Sequence, residues 1–168
     1  MNLTFSNAET SNIDEIMRLL SCAIKHMERN DIHQWDEIYP SRKIIAGDIR
    51  KHELFVGRIG GQIAVIFVVN SKCNAKYKIG AWSTNTENFL VIHRLCVHPD
   101  FQNQGVAKAA MAYIENNLCS LNIEAIRLDV FKQNPHALRL YKNNGFQITG
   151  EVEFRKGGFY LMEKLLGF

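Results

Sequence analysis

The segment from Leu95 to Lys108 combines residue types and spacing that suit the binding of an anion. An apolar stretch ends at His98-Pro99, and a helix with small first residues is expected to begin at Gly105. The first backbone N–H groups of a helix have no partner within it, and the helix dipole favours negative charge there. Because Gly105 has no Cβ, a ligand can approach the backbone closely. The segment predicts either a phosphate- or pyrophosphate-binding turn or a plain strand-to-helix turn.

The first half of the chain must supply the frame for this turn, and its patterns predict two helices and a hairpin. Ser11 and Asp14 are expected to cap a first helix. Its apolar residues recur at helical spacing and are Ile13, Ile16, Leu20, Ile24 and Met27. Ser41 is expected to cap a second helix that runs to about Lys51. Residues 54–59 and 62–70 flank Gly60-Gly61, which is typical of a β-hairpin.

The middle of the chain predicts a loop, a strand and a helix. Residues 71–88 are mostly polar and are expected to form a loop. Residues 89–97 predict a strand that ends at His98-Pro99. The helix that Gly105 opens is expected to run to about Leu118, with one apolar face.

The last part of the chain predicts another strand followed by a helix. Apolar residues alternate from 126 to 130, which is typical of a strand. Asn134 is a favoured helix N-cap, and Pro135 suits the first helical position. Gly145 suits the position just after the helix. Closing strands are expected at residues 146–148 and 159–165. The order of elements predicts a mixed α/β sheet with helices on both faces.

Two blocks of the sequence resemble the GNAT superfamily of N-acetyltransferases. Gln102-Asn103-Gln104-Gly105-Val106-Ala107 matches the family signature Q/R-x-x-G-x-G/A. Residues 134–146 resemble the family block N-x-x-A-x-x-x-Y-x-x-x-G-F. Two blocks in the right order are more specific than either alone. The resemblance implies a single domain over residues 1–168, with a mixed, mostly antiparallel sheet flanked by helices, that uses acetyl-coenzyme A.

The resemblance also implies which residues hold the coenzyme. The backbone of Leu95, Cys96 and Val97 is expected to pair with the pantetheine amides and to polarise the acetyl carbonyl. Asn134 is expected to contact the pantetheine arm. The pyrophosphate is expected at the turn made by Gln102, Asn103, Gln104, Gly105, Val106, Ala107 and Lys108.

Tyr141 is implied as the general acid that protonates the departing coenzyme A thiolate. A coenzyme A thiol should titrate like cysteine, with a pKa of about 8.5, so its thiolate is an imperfect leaving group. A proton donor within hydrogen-bond reach typically contributes ~10²–10⁴-fold. The alternative for Tyr141 is a core aromatic at helical spacing from Ala137 and Leu138.

His93 is the expected base that takes a proton from the incoming amine. It lies four residues before Val97 on the same predicted strand. An unperturbed imidazole, with a pKa of about 6.5, is mostly neutral at pH 7 and can accept a proton. A structural histidine at the strand edge is an equally good interpretation. Glu53, Asp129 and Glu151 are the other carboxylates considered for this role.

Trp35, Tyr39 and Trp82 lie in the segments that match the family least, and we expect them to line an acceptor pocket. A local hydrophobic plug is an equally good interpretation of Trp35. The expected acceptor is a small-molecule or peptide amine. Two rival functions on the same fold are a non-catalytic acyl-coenzyme A sensor and an interaction module. The resemblance also suggests a homodimer.

Composition argues against several other classes of protein. The net charge of +3 is spread without a basic run, so no nucleic-acid partner is expected. The longest apolar run, Ile63 to Val69, is too short to cross a membrane. No signal peptide is evident, which favours the cytoplasm. Cys22, Cys73, Cys96 and Cys119 form no C-x-x-C pair, so neither a metal site nor a disulfide is predicted, and Cys96 is expected to be a buried thiol.

Overall fold

A computed structural model describes residues 2–119 and 122–167, without the side chains of Leu118 and Cys119. The predicted apolar helix face at Leu118 and the predicted thiol of Cys119 therefore lie outside the described residues. The strands are β1 (Leu3–Asn7), β2 (Leu54–Ile59), β3 (Gln62–Asn70), β4 (Phe89–Val97), β5 (Ala125–Phe131), β6 (Gln147–Phe154) and β7 (Gly157–Leu165). The helices are α1 (Ile13–Glu28), α2 (Arg42–Arg50), α3 (Val106–Cys119) and α4 (Pro135–Asn143). Short 3₁₀ helices are found at Thr10–Asn12, Ala75–Ile79 and Pro99–Phe101.

In the described residues, seven strands form one sheet in the order β1-β2-β3-β4-β5-β7-β6. The β1–β2, β2–β3, β5–β7 and β6–β7 pairs are antiparallel, whereas β4 runs parallel to β5. The predicted mixed, mostly antiparallel α/β fold is thus confirmed. No helix in the described ranges combines the length and the hydrophobicity that a membrane crossing needs.

The chain divides into two units of dense internal contact. The first unit contains the residues up to Val69 together with Arg94–Ala110. Its core is aliphatic and includes Ile16, Leu20, Ile45, Leu54 and Ile66. The second unit contains Asn70–His93 and the residues from Met111 onward. In it, β5 pairs with β7 along its whole length, from Ala125 opposite Leu165 to Phe131 opposite Phe159.

Local sequence signals located several elements correctly. The hairpin of β2 and β3 turns at Gly60 and Gly61, whose φ angles of 57° and 84° lie in the left-handed region that glycine tolerates. The hydroxyl of Ser41 accepts a 3.4 Å hydrogen bond from the Ile44 N–H at the start of α2. Gly145, with φ of 86°, follows α4 as predicted.

Three expectations about local structure were wrong. Ser11 and Asp14 do not cap α1, because a 3₁₀ turn precedes that helix, and the Asn12 side chain instead accepts a 2.8 Å hydrogen bond from Glu9 N–H. The predicted loop 71–88 contains the 3₁₀ helix Ala75–Ile79. The strand expected at residues 146–148 runs on as β6 to Phe154.

The sequence pattern missed β1 entirely and most of β6. Both are edge strands of the sheet. Their residues are mostly exposed or half-buried, so the apolar alternation that identifies a strand is weak in both. The ladder bonds that define such strands are invisible in sequence.

Candidate active site

Strand β4 is distorted at Arg94, which adopts a φ of 53°. Residues other than glycine rarely adopt the left-handed region. Within a strand such a residue interrupts regular pairing and re-aims the backbone groups that follow, as in a β-bulge. The parallel ladder with β5 covers only Phe89–Val91 of β4. The distortion lies immediately before Leu95–Val97, the part of β4 that is predicted to pair with pantetheine.

The turn between β4 and α3 is braced by its own glutamine side chains. The amide of Gln102 donates to the Val97 carbonyl at 3.3 Å. The amide of Gln104 donates to the Asp100 carbonyl at 2.8 Å. These two bonds brace the turn from within.

The backbone of this turn has the geometry of an anion site. Asn103 and Gly105 are both left-handed, with φ angles of 59° and 81°. Gly105 is followed by the right-handed first residue of α3, and such a left-handed and right-handed pair points successive N–H groups into one concavity that suits an anion. Helix α3 begins at Val106, so its first N–H groups, through Lys108, have no partner within the helix. A Cβ added at Gly105 would meet no atom within 4 Å, so the space beside it is open to a ligand.

Asn134 caps α4 in the second unit. Its side-chain oxygen accepts a 3.0 Å hydrogen bond from the Ala137 N–H, and the residue is 9% exposed. The predicted capping role is confirmed. The predicted contact with pantetheine remains a prediction.

Tyr141 lies on α4 and is 8% exposed. Its ring packs edge-on against Phe146 at 5.7 Å between centroids, as a core aromatic would. Burial, followed by the charge of Asp129, raises the pKa of the neighbouring Tyr77 far above its ordinary value, and Tyr141 adds to that effect. The Tyr141 side chain is thus both packed and in electrostatic reach of a second tyrosine.

His93 uses its Nε2 atom in two hydrogen bonds of 3.0 Å, to the Asn70 side-chain oxygen and to the Lys72 carbonyl. Because a backbone carbonyl only accepts, Nε2 must carry the proton and donate. A role as base therefore falls to Nδ1. The two hydrogen bonds fit a structural role for His93, and its catalytic role stays a prediction.

Two of the three carboxylates considered as alternative bases contact another polar side chain. Asp129 accepts a 2.7 Å hydrogen bond from the Tyr77 hydroxyl. Glu151 is paired with Lys132, and this hydrogen bond raises the pKa of the lysine. Glu53 lies in the first unit, where its backbone carbonyl, rather than its carboxylate, accepts a 3.0 Å hydrogen bond from the Val69 N–H.

Cys96 is buried, as expected, with 7% of its surface exposed. Burial raises the pKa of its thiol to about 12. A thiol that stays protonated at neutral pH is a poor nucleophile.

The three aromatic residues predicted to line an acceptor pocket fall in different units. In the first, Trp35 is 9% exposed within the aliphatic core, and the Tyr39 hydroxyl accepts a 2.8 Å hydrogen bond from Arg94. In the second, Trp82 donates through Nε1 to the Tyr77 carbonyl at 2.9 Å. Each side chain thus has a packing role within its own unit, and the acceptor role stays a prediction.

Two buried ion pairs escaped sequence reasoning. In the first unit, Arg94 pairs with Asp48 at 2.7 Å. In the second, Arg127 pairs with Glu163 at 3.0 Å. The available signal was one arginine within each mostly apolar strand, because a buried arginine needs a carboxylate partner.

Comparison with known proteins agrees with this geometry. A family model described as Acetyltransferase (GNAT) family matches residues 21–146. The chain belongs to the GNAT acetyltransferase family. This confirms the predicted family and agrees with the predicted class, an acyl-coenzyme A-dependent N-acetyltransferase.

Solved GNAT structures share the fold over the whole chain. An acetyltransferase of the GNAT family from Streptococcus agalactiae 2603 has a TM-score of 0.86 at 22% identity, covering 100% of this chain and 98% of that one. The PaiA N-acetyltransferase from Thermoplasma acidophilum, solved in complex with coenzyme A, has a TM-score of 0.75 at 15% identity, covering 99% and 100%. At such identities the likeness shows the fold alone.

One similar protein of known activity is a spermine/spermidine N(1)-acetyltransferase of Bacillus subtilis (strain 168). It is 33% identical over 64 residues, which is 38% of this GNAT chain. The aligned part spans 42% of that relative's length.

Proposed function

We propose that this protein transfers the acetyl group of acetyl-coenzyme A directly to a primary amine. The observation that carries the proposal is the turn from Asn103 to Lys108. Two left-handed residues there precede the unpartnered first N–H groups of α3, beside open space at Gly105. Such a turn suits the pyrophosphate of coenzyme A.

The donor strand of the proposed site is the end of β4. After the distortion at Arg94, the backbone of Leu95–Val97 would pair with the pantetheine amides, and Asn134 would contact the same arm. A backbone N–H aimed at the acetyl oxygen would stabilise the negative charge that develops there during attack.

In the proposed reaction the amine nitrogen attacks the thioester carbonyl carbon. The C–S bond then breaks, its electron pair leaves on sulfur, and Tyr141 gives its phenolic proton to that sulfur. His93, through Nδ1, takes the proton that the amine loses, either directly or through a water molecule. The protonated, buried thiol of Cys96 supports this direct route.

The acceptor is proposed to be a small-molecule or peptide amine. The activity named for the Bacillus subtilis relative makes spermine and spermidine the first acceptors to test. Amino acids, aminoglycosides and peptide N-termini complete the panel. A homodimer is predicted from the family resemblance, and a cytoplasmic location stays a prediction.

The donor site is tested by a matched pair of glycine variants. Gly105 and Gly61 have nearly the same φ, 81° and 84°, and a Cβ at either meets no atom within 4 Å. Gly105→Trp should therefore strain the backbone about as much as Gly61→Trp but also fill the anion turn. We expect calorimetry with acetyl-coenzyme A to show at least ~10²-fold weaker binding only for Gly105→Trp. Equal affinity in both variants would place the pyrophosphate elsewhere and contradict the proposal.

A further inference from the structure

Arg94 is a strained residue at a point where nothing in the local sequence requires strain. The φ of Arg94 is 53°, a value that glycine or asparagine adopts more easily than arginine does. Strained residues persist when their surroundings over-determine them, and they cluster at functional sites. The position, one residue before the proposed donor strand Leu95–Val97, raises the question of what the arginine side chain holds.

The side chain of Arg94 joins three elements of the first unit. Its Nη2 lies 2.7 Å from Asp48 Oδ2, and the two side chains are 10% and 9% exposed. Its Nη1 donates to the Tyr39 hydroxyl at 2.8 Å. Strand β4, helix α2 and the segment before α2 are thus tied by one guanidinium group.

This set of contacts is buried but incompletely satisfied. Among the described residues, Asp48 Oδ2 and Arg94 Nε are the buried side-chain atoms without a hydrogen-bond partner. The 2.7 Å contact is therefore close in distance but misaligned as a hydrogen bond. Burial raises the pKa of Asp48, and Arg94 opposes that rise. Buried polar atoms left without partners cost stability, so this pair gains less from its hydrogen bonds than a fully satisfied pair would.

We infer that Arg94 is a positioning residue which, through Asp48 and Tyr39, holds β4 in the distorted form that aims the following backbone N–H at the acetyl carbonyl. The inference rests on the proposed function, in which the end of β4 is the donor strand. Because Tyr39 lies in a segment predicted to face the acceptor, the same contacts would couple the acceptor side to the aim of that N–H. Pyrophosphate binding at the turn 102–108 does not depend on it.

The consequence is a split between binding and chemistry. As the amine attacks, negative charge grows on the acetyl oxygen, and a misaimed donor stabilises it less. Arg94→Lys keeps the charge but loses the planar fork that reaches both partners. We expect kcat to fall by about 10- to 10²-fold, with the KM for acetyl-coenzyme A changed by less than about threefold.

The matched control is Arg58→Lys. Arg58 pairs with Glu15 at 3.1 Å in the same unit, half-buried and on β2 rather than β4. This control loses a comparable arginine fork but leaves the distortion at Arg94 untouched. It should keep the wild-type kcat.

A second readout does not need turnover. Infrared difference spectra of acetyl-coenzyme A, labelled with ¹³C in the acetyl carbonyl, report how strongly the bound C=O is polarised. The bound band should shift to lower frequency in the wild type and in Arg58→Lys, and shift less in Arg94→Lys. Tyr39→Phe removes only one hydroxyl and should reduce the shift by a smaller amount. This milder variant tests the same contact if Arg94→Lys does not fold.

An unchanged carbonyl shift in both Arg94→Lys and Tyr39→Phe would overturn the inference. So would wild-type kcat in Arg94→Lys, or an equal loss of affinity for coenzyme A and acetyl-coenzyme A. Failure of the wild type to acetylate any amine would instead contradict the proposed function, while the carbonyl shift would still decide the role of Arg94.

Discussion

The two units of the molecule each bury one arginine–carboxylate pair, and the two pairs are built differently. In the second unit, Arg127 Nε donates to Glu163 Oε1 at 3.0 Å, with 7% and 1% of the side chains exposed. Each side chain also makes a hydrogen bond to the backbone. Arg127 Nη2 donates to the Thr84 carbonyl at 2.8 Å, and Glu163 Oε2 accepts from the Ser83 N–H at 2.6 Å. The guanidinium also lies 4.4 Å from the Trp82 ring.

In the first unit, the side chains of Arg94 and Asp48 are 10% and 9% exposed and so slightly less buried. Arg94 Nε and Asp48 Oδ2 have no hydrogen-bond partners, and Arg94 has a strained backbone. A satisfied pair on a regular strand is what the anchoring of the loop at Ser83 and Thr84 requires. An unsatisfied pair on a distorted strand fits the positioning role that we propose for Arg94. We therefore expect the Arg127–Glu163 pair to act mainly on stability, and the Arg94–Asp48 pair to act mainly on the backbone geometry of β4.

The largest expected effect is a loss of protein stability when the Arg127–Glu163 pair is broken. Arg127→Met should leave Glu163 buried without its charge partner, at a cost of about 3–5 kcal/mol in the free energy of unfolding. Chemical denaturation measures this directly. A loss below about 1 kcal/mol would mean that Glu163 protonates or rearranges easily, and the contrast between the pairs would weaken.

Double replacements sharpen the same contrast. Replacing both partners of a buried pair by apolar residues often restores stability. Arg127→Met with Glu163→Leu should recover only part of the stability lost in the single variant, because it leaves the Ser83 N–H and the Thr84 carbonyl without partners. Arg94→Met with Asp48→Leu, which costs only the hydrogen bond to the Tyr39 hydroxyl, should recover most of the lost stability. Only the second double variant should keep a defect in the carbonyl shift of bound acetyl-coenzyme A. The same defect in both doubles would remove the distinction between the pairs.

Tyr141→Phe separates chemistry from anchoring within the second unit. It keeps the ring and its contact with Phe146, so no cavity forms, and it removes only the proposed proton donor. Turnover should fall by about 10²-fold with acetyl-coenzyme A affinity nearly unchanged. A full-rate variant would make Tyr141 a packing residue. A variant with weak cofactor binding would make its hydroxyl structural.

The smallest expected effect is a pH dependence of stability. Burial, reinforced by Glu53 and opposed by Arg94, raises the pKa of Asp48 in the folded state. The folded protein therefore binds this proton more tightly than the unfolded chain. Its contribution to stability should fall as the pH rises from the ordinary aspartate pKa of about 4 through the raised value. Asp48→Asn should flatten the difference in unfolding free energy over that window, and a steeper dependence in the variant would contradict this sign.

Sequence predicted the features that depend on neighbouring residues. The hairpin at Gly60-Gly61, the cap at Asn134 and the glycine after α4 are encoded within a few positions, and the structure contains all three. The family blocks predicted the anion turn in the same way, and its binding of pyrophosphate stays a prediction. Their physical basis is local backbone geometry.

What sequence left out depends on distant partners. Arg94 meets Asp48 and Tyr39 only after the chain folds, and no periodicity encodes a positive φ in β4. The proton on His93 Nε2 was equally hidden, because its acceptors lie at the end of β3 and beyond it. Edge strands β1 and β6 escaped because half their surface faces away from any core.

The most direct test of acetyl transfer follows the label from donor to acceptor. The purified protein would be incubated with acetyl-coenzyme A labelled in the acetyl group and with spermidine, an amino acid and a short peptide in turn. Mass spectrometry would then measure both the amine and the intact protein. We expect labelled acetyl on the nitrogen of at least one amine and no label on the protein at any time. Label retained on Cys96, or bound acetyl-coenzyme A with no acetylated amine, would contradict direct transfer by this GNAT chain.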